Sequence, residues 1–330
     1  MQKLNLADYK TVPDFIYGIT REIWEDRGLG GKIKRYYADK CIVRAATTVT
    51  TDNLGVTSQT LQTLHQFPDR RLVGEDVIWS GYEDGSFLSS HRLISVMRHT
   101  GDGIYGKASG RTVRSRIIAD CYVENTQVTE EWLARDQAAF AKCMGIETRQ
   151  LALDIVRREL AATGKVEFYT PERDVAGTYR PEHQEGADVA AYCKGWQEIW
   201  GLKETAAIKD LYFHGAMAAA PGGDILSGHS DIDRFVISYL ASFPDADFTI
   251  ESAIVNRDPG QPVRIATRWA LRGSHSGFGH FGEPTGAPVY VMGYCHAHMV
   301  AGRVTAEWIV TDEVAVWKQI HAHTEGRAGA

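Results

Sequence analysis

Residues 273–312 read GSHSGFGHFGEPTGAPVYVMGYCHAHMVAGRVTAEWIVTD, and this stretch decides the fold of the chain. It holds two apolar runs, Val289–Met299 and Val304–Val310, which are rich in Val, Ile, Tyr and Trp and are joined at Ala301-Gly302. Runs of this composition between glycine and proline residues are typical of strands. The stretch therefore predicts two antiparallel strands joined by a tight turn.

Titratable side chains accumulate along this predicted hairpin. Three of its histidines and two acids are candidate site residues: His275, His296, His298, Glu307 and Asp312. His296 and His298 are two residues apart, so they share one face of their strand. Glu307 precedes Trp308 directly, so one of these two side chains points inward and the other outward. We therefore expect a functional site on this hairpin.

A repeat becomes visible when the search extends over the whole chain. Five landmarks of the first half return in the second half, all at the spacing that separates Asp136 from Asp312. The pairs are Ile23-Trp24 with Ile199-Trp200, Phe67-Pro68-Asp69 with Phe243-Pro244-Asp245, Gly110 with Gly286, Glu131-Trp132 with Glu307-Trp308, and Asp136 with Asp312. One spacing shared by five landmarks predicts two copies of one fold.

Each copy is predicted to hold three helices, a run of antiparallel strands and a terminal helix. The predicted segments of the first copy are helices at Val12–Arg27, Gly31–Ala38, Thr57–Gln66 and Asp136–Met144, and strands at Arg71–Trp79, Phe87–His99, Thr112–Val123 and Gln127–Ala134. Helices gathered on one side of an antiparallel sheet make an α+β fold. We predict domains at residues 1–145 and 188–330. The linker at residues 146–187 begins with an amphipathic helix.

Length and composition limit the class of protein. The 330 residues are 44% hydrophobic and 24% charged, which suits two soluble globular domains. The formal net charge of −6 argues against nucleic acid as a partner. No apolar run approaches the ~18 residues of a membrane span, and the N-terminus lacks an apolar signal core. Five cysteines without a Cys-x-x-Cys pair indicate reduced thiols and a cytoplasmic location.

The order of the motifs resembles a known family. Gly-x-His-x-Gly at 273–277 is followed by Pro284-Thr285-Gly286, a strand with a late histidine, Gly-Arg-Val-x-x-Glu-Trp at 302–308, and Asp312. This order is similar to the signature of the SnoaL-like polyketide cyclases, within the nuclear transport factor 2-like superfamily. The resemblance implies two tandem cone-like domains. Each would have a strongly curved antiparallel sheet whose concave face the helices close into a pocket.

The resemblance also implies acid/base chemistry without a metal or cofactor. It implies Asp312 as the catalytic carboxylate, His298 as its partner and His275 as a donor nearby. An apolar pocket raises the pKa of such a base, and a fixed N–H or O–H donor stabilises the enolate that forms. The binding residues expected around them are His296, Trp308, Glu307 and Trp269. A small carbonyl compound would undergo ring closure, isomerisation or hydration.

Each of these residues also has a structural interpretation. Asp312 precedes a predicted helix and is a natural N-cap, a role that does not exclude catalysis. His298 would also suit the core or the rim of the domain. Glu307 could face solvent and pair with Arg303. The histidines His275, His296 and His298 could instead bind zinc or iron, although the resemblance points to a site without metal.

The first copy departs from the motif at informative positions. Asp136 and Trp132 are retained, and Tyr122 stands where the second copy has His298. Asp102 is placed near the position of His275. Asp102, Tyr122 and Asp136 could form a second acid/base set, or this copy could be a structural partner. Five arginines make its sheet basic, which suits a carboxylate-bearing ligand or ion pairs with surface acids: Arg92, Arg98, Arg111, Arg114 and Arg116.

The sequence supports two classes of function. The first is an enzyme of the cyclase, isomerase or lyase type that acts on a small molecule, without nucleic acid, membrane, metal or cofactor as a partner. The second is a non-catalytic small-molecule-binding or scaffold protein, because this fold hosts both. The two copies are expected to pack as an intramolecular pseudo-dimer, which is compatible with further homo-oligomerisation.

Overall fold

The computed structural model of the chain describes residues 4–181 and 184–328. The chain divides into two units, and neither is a continuous segment. The first unit comprises Met1–Glu147 and Tyr169–Arg180, and the second comprises Thr148–Phe168 and Pro181–Ala330. The segment between the repeats is thus shared, because its helix lies in the second unit while Tyr169–Arg180 lie in the first.

The first unit is a six-stranded sheet with helices. Its elements are α1 (Val12–Thr20), α2 (Gly31–Tyr36), β1 (Tyr37–Ala45), β2 (Thr48–Thr50), α3 (Asn53–Gln66), β3 (Arg71–Gly81), β4 (Phe87–Arg98), β5 (Thr112–Glu124), β6 (Gln127–Arg135) and α4 (Gln137–Met144). The strand order is β2-β1-β6-β5-β4-β3. All neighbouring strands are antiparallel except β1 and β6, which are parallel.

The second unit repeats this arrangement. Its elements are α5 (Thr148–Thr163), α6 (Ala187–Trp196), α7 (Ile208–Leu211), β7 (Tyr212–Ala220), β8 (Asp224–Ser227), α8 (Gly228–Ser242), β9 (Asp247–Asn256), β10 (Val263–Ser274), β11 (Pro288–Val300), β12 (Arg303–Thr311) and α9 (Glu313–Ala328). The strand order, β8-β7-β12-β11-β10-β9, matches that of the first unit. The predicted α+β fold with two tandem copies is therefore confirmed.

The predicted hairpin is formed by β11 and β12. Val300 pairs with Arg303, so Ala301 and Gly302 make a two-residue turn. Both turn residues have positive φ, at 49° and 76°, as the turn that suits the twist of a β-hairpin requires. The predicted strands lacked β1, which follows α2 directly at Tyr37–Ala45. Its Asp39 and Lys40 interrupt the apolar pattern and are exposed.

The sheet of the second unit has two different faces. The strand register places Trp269, Cys295 and Glu307 on the same side of the sheet. We call this side the inner face, because Trp196 of α6 contacts both Glu307 and Trp269 there. The opposite, outer face carries His296 and Trp308, which pair directly across β11 and β12. The inner face is where the core of the unit lies, since Trp196, Trp200 and Trp269 are among its most deeply buried side chains.

The core of the first unit occupies the same side of its sheet. The helical spacing that predicted α1 places Phe15, Ile16 and Ile19 against it, and Phe15 meets Phe87 of β4 edge to face at 5.8 Å. On the other side, residues 169–180 lie on the outer face of the first unit. Tyr179 packs against Trp132 there, with ring centroids 5.3 Å apart.

Across the described residues, no helix is long and apolar enough to cross a membrane.

Candidate functional site

A buried carboxylate occupies the inner face of the second unit. Oε1 of Glu307 accepts hydrogen bonds from the Tyr192 hydroxyl at 2.7 Å and from Nε1 of Trp196 at 3.2 Å. Oε2 accepts one from the Tyr212 hydroxyl at 2.7 Å. The side chain is 0% exposed, so the expectation of a solvent-facing partner of Arg303 was wrong. Glu307 faces the interior because β12 alternates, and Trp308 takes the outer face.

Two opposing effects act on the pKa of Glu307, and burial is the larger one. Burial raises the pKa of Glu307, while the hydrogen bonds from Tyr212, Tyr192, Cys295 and Trp196 work in the lowering direction. Burial, together with the neighbouring charge of Glu307, raises the pKa of both tyrosines well above 10. The two hydroxyls therefore stay protonated at neutral pH and act as fixed donors.

Two further donors on the inner face have no partner. Among the residues that the structure describes, Oγ1 of Thr267 and Nε1 of Trp269 make no hydrogen bond, although both side chains are buried. Both lie on β10, and Thr267 pairs with Cys295 of the neighbouring strand β11. A buried donor without an acceptor is unfavourable, so these atoms favour a ligand oxygen.

An aromatic wall fills the space beside Glu307. Trp196 stacks on Trp200 with ring centroids 5.8 Å apart and contacts Trp269 at 5.7 Å. Trp269 lies flat over Gly293, where an added Cβ would come within 2.2 Å of the indole. Glycine is therefore required at this position of β11. Trp196 thus contacts both the carboxylate of Glu307 and the ring of Trp269.

Asp312 lies at the beginning of α9. Its Oδ1 accepts a hydrogen bond from the backbone N–H of Ala315 at 3.0 Å, and the residue is 6% exposed. This is the geometry of an N-cap, as the sequence suggested. Its catalytic role stays a prediction.

His298 and Asp312 lie at opposite ends of the hairpin. His298 pairs with Ala306 of β12, and Asp312 is six residues beyond Ala306. At about 3.3 Å per residue the two are on the order of 20 Å apart. The expected partnership of His298 with Asp312 is therefore not formed. His298 instead packs against the edge of Trp308 on the outer face, with ring centroids 4.8 Å apart, and His296 shares that face.

His275 lies at the other end of β11 from His298. Its ring Nδ1 is 3.1 Å from Oγ1 of Thr285, and its ring packs on Phe243 at 5.9 Å. The Pro-Thr-Gly motif thus supplies the threonine that orients His275. The alternative metal site of His275, His296 and His298 is not assembled. No group of three or more His, Cys, Asp or Glu residues in the described part of the chain is placed to hold a metal ion.

The expected second acid/base set is also dispersed in the first unit. Asp136 caps α4 through a 2.9 Å bond from Ala139 N–H. The Tyr122 hydroxyl donates to Ser86 Oγ at 3.1 Å on the outer face, where Trp132 also lies. Asp102 sits in a surface loop and pairs with the exposed Lys107 at 2.7 Å.

The true counterpart of His275 in the first unit is His99, and the placement of Asp102 at that position was wrong. His99 precedes His275 by the spacing of the repeat and makes the same contact, with its Nδ1 3.1 Å from Oγ of Ser109. The basic appearance of this sheet reflects ion pairs in part. Arg92 and Arg116 both bind Glu75, at 3.0 and 2.8 Å.

Sequence reasoning missed the partners of Glu307. Tyr212 corresponds to Tyr37, whose hydroxyl donates to Oε2 of Glu131 at 2.7 Å in the first unit. The sequence does contain this correspondence. However, the separation between Tyr37 and Tyr212 is one residue shorter than the separation between Glu131 and Glu307. A search at one fixed spacing therefore passes over the tyrosine.

A second cluster of polar residues at the α9 end of the second unit was also missed. Oε1 of Glu313 accepts a hydrogen bond from the Tyr239 hydroxyl and lies 2.9 Å from Nε2 of His280. Burial lowers the pKa of His280, but the hydrogen bond and charge of Glu313 outweigh it and leave the pKa raised. The first unit has Thr63, Ile104 and Gln137 at these positions.

Comparison with known proteins finds a family similarity for part of the second unit. Residues 190–320 match the family model described as SnoaL-like polyketide cyclase. That match covers the strands β7–β12, the inner face and the first half of α9. Among curated proteins, none matches the chain.

Several solved structures resemble part of the chain. IdmH from Streptomyces antibioticus, a candidate polyketide cyclase, is 16% identical, covers 41% of this chain and 100% of its own, and has a TM-score of 0.36. TsrD from Streptomyces laurentii is 13% identical, covers 42% of this chain and 98% of its own, and has a TM-score of 0.37. Likeness at this level supports no conclusion about a reaction.

Proposed function

We propose that the second unit, a SnoaL-like polyketide cyclase domain, is a cofactor-independent acid/base catalyst in which Glu307 transfers the proton. The observation that carries this proposal is a carboxylate at the floor of an aromatic interior with a pKa raised by burial. A general base gains strength as its pKa approaches the working pH. The unpartnered donors of Trp269 and Thr267 supply the second requirement, which is a place for an oxyanion.

The proposed reaction begins with proton abstraction next to a carbonyl group. Glu307 takes the proton from carbon, and the Trp269 and Thr267 donors hold the oxygen as it becomes an enolate. The enolate carbon then attacks a second carbonyl of the same molecule and closes the ring. The new alkoxide recovers the proton from Glu307. Of the donors to the carboxylate, the thiol of Cys295 is the weakest, so the substrate C–H would take its place.

Substrate entry requires the Trp196 side chain to move away from Glu307 and Trp269, both of which it contacts. Trp196 is the last residue of α6, and the chain continues as a π-helical turn over Gln197–Gly201. Such turns are frequent at functional sites. An indole-sized space would then open between the base and the oxyanion donors, which suits a substrate with one or two rings.

The competing function is non-catalytic binding. It is favoured by the full burial of Glu307 and by its three hydrogen bonds from Tyr192, Tyr212 and Trp196, which together resemble a structural carboxylate. In that case the aromatic interior would bind or simply stabilise, and no proton would move.

Deuterium exchange into 2-tetralone distinguishes the two functions. This ketone is about the size of an indole, and exchange at its α-carbon needs only a base and an oxyanion donor. We expect the protein to accelerate exchange and Glu307→Gln to reduce the rate by ~10²–10⁴-fold. Glu283→Gln, on an exposed loop, is the matched control, and Glu131→Gln tests the first unit. Binding of 2-tetralone without acceleration would favour the non-catalytic function.

A further inference from the structure

The inner faces of the two units differ in chemistry at matching positions. Thr267, Thr311 and Ala246 of the second unit correspond, at the spacing of the repeat, to His91, Arg135 and Arg70 of the first. The first unit therefore carries two arginines and a histidine where the second has small side chains. A ligand that suits one inner face does not suit the other.

Arg70 is a buried cation without a counter-ion. It is 9% exposed, and its Nε donates to Oγ of Ser95 at 3.2 Å. Among the described residues no carboxylate forms an ion pair with it. Arginine is rarely buried unless its charge is matched, because a guanidinium does not lose its proton in a protein. No described carboxylate therefore neutralises Arg70, and a bound anion would stabilise its charge.

Arg135 adds a second cation close to the first. Arg135 follows Glu131 by four residues on β6, so both side chains point to the inner face. The charge of Arg135 acts on Arg70. Burial, and then the charge of Arg135, lowers the pKa of Arg70 to about 9. Two like charges that face one buried region repel each other, and a bound anion would relieve that repulsion.

Neutral polar atoms with no partner lie farther along the same inner face, beyond the end where Arg70 contacts Ser95. Nδ1 of His91 and Oγ of Ser89 make no hydrogen bond to any described residue, and both side chains are buried on β4. Ser89, His91 and Ser95 alternate with outward-facing residues, so they follow one another along the inner face. This face thus combines a cationic end with donors and acceptors placed for the body of a ligand.

We propose that the first unit binds a small carboxylate-bearing molecule on its inner face, with the carboxylate held by Arg70 and Arg135. The planar guanidinium matches a carboxylate through two parallel hydrogen bonds. His91 and Ser89 would bind a polar group on the rest of the molecule. Leu93 and Ile117 of the core cluster lie on the same face, so a singly charged ligand with an apolar body fits better than hydrated phosphate.

Calorimetric titration of the whole chain tests this site with four defined probes: benzoate, acetate, benzyl alcohol and inorganic phosphate. We expect benzoate to bind with one site per chain and benzyl alcohol, its neutral analogue, to bind at least ~10-fold more weakly. Arg70→Gln should weaken benzoate by at least ~10-fold, and Arg135→Gln, which changes a half-buried residue, should do the same. Arg114→Gln on the exposed outer side of β5 is the matched control and should bind as the wild type does.

A readout of stability separates a ligand site from a structural arginine. Without ligand, Arg70→Gln should unfold at a higher urea concentration than the wild type, because it removes an unmatched buried charge. Equal binding of benzyl alcohol, preference for phosphate, or benzoate affinity that survives both Arg70→Gln and Arg135→Gln would each overturn the proposal. Failure of 2-tetralone exchange in the second unit would leave it unaffected, since the two tests use different units and different probes.

Discussion

The hydroxyl of Tyr212 donates a 2.7 Å hydrogen bond to Oε2 of Glu307, and Tyr37 repeats this bond to Glu131 at the same 2.7 Å. In each unit the bond joins the first long strand to the last, which run parallel as neighbours. The pair therefore belongs to the shared architecture, and the second unit adds further hydrogen-bond donors to it. That addition consists of Tyr192 and Trp196, which have no equivalents among the described partners of Glu131.

Removal of this hydroxyl should weaken both units by a similar amount. Tyr212→Phe leaves a buried carboxyl group with one donor fewer, which costs about 1–3 kcal/mol of unfolding free energy. Tyr37→Phe in the first unit is the matched variant, and urea denaturation followed by tryptophan fluorescence measures both. A change of less than a few tenths of a kcal/mol in both variants would contradict the importance of the pair.

The rate of 2-tetralone exchange should rise with pH. Only the ionised carboxylate of Glu307 accepts a proton, and burial raises its pKa above the ordinary value of 4.5. The rising limb should therefore be centred above pH 4.5. No falling limb is expected below pH 10, because the pKa values of Tyr192 and Tyr212 lie well above that value. A rate independent of pH, or Glu307→Gln with an unchanged profile, would assign the base elsewhere.

Gly293→Ala should destabilise the second unit. The added Cβ would lie 2.2 Å from the indole of Trp269, and overpacking of this kind costs typically 1–3 kcal/mol. The first unit has Ile117 and Leu93 at these positions, so Trp269→Leu should restore much of the loss in the double variant. Strictly additive effects in this cycle would show that the indole does not set the requirement for glycine.

Asp312 can be tested as a cap and as a base with two substitutions. Asp312→Ala should lower the unfolding free energy by about 1 kcal/mol, and Asp312→Asn, which keeps a capping oxygen, should stay near the wild type. Asp136→Ala provides the equivalent loss in the first unit, since Asp136 caps α4 in the same way. If Asp312→Asn lowers exchange as far as Glu307→Gln does, Asp312 is the base and our assignment fails.

His91 should make the stability of the chain fall at acidic pH. Burial lowers the pKa of His91 from 6.5 to about 4, so the folded state binds fewer protons than the unfolded state between these values. Its stabilising contribution is complete above pH 6.5 and is lost as the pH falls towards 4, by up to about 3 kcal/mol. Urea midpoints from pH 7.5 to 4.5 should therefore fall less steeply in His91→Gln. Parallel slopes would mean that His91 is not buried in its neutral form.

The fold could be predicted from the sequence because its signals are local and occur twice. Strand periodicity and the Ala301-Gly302 turn depend on neighbours along the chain, and the constant spacing of the landmarks shows them a second time. The partnership of His298 with Asp312 failed for a geometric reason that the sequence also contains. Residues of a hairpin meet when they are equally far from its turn, and His298 is much nearer to the turn than Asp312 is.

The site itself could not be assembled from one stretch of sequence. Glu307 was visible on its strand, but Tyr192 comes from α6, more than a hundred residues earlier. Arg70 and Arg135 were not among the predicted site residues, because no sequence motif distinguishes them from the other arginines. Burial decides which arginine matters, and it depends on the packing of the complete unit. A sequence pattern shows the alternation of faces but not which face the helices cover.

The crossing of the segment between the repeats affects how the protein can be divided. Arg44 of the first unit binds Asp174 at 2.6 Å and Glu130 at 2.8 Å, and Lys318 of the second binds Glu159 at 2.7 Å. A cut between the two sequence repeats, near residue 146, would separate Arg44 from Asp174, one of its two carboxylate partners. A cut near residue 187 would take Glu159 away from Lys318. No single cut between the two sequence repeats therefore divides the chain into its two complete units.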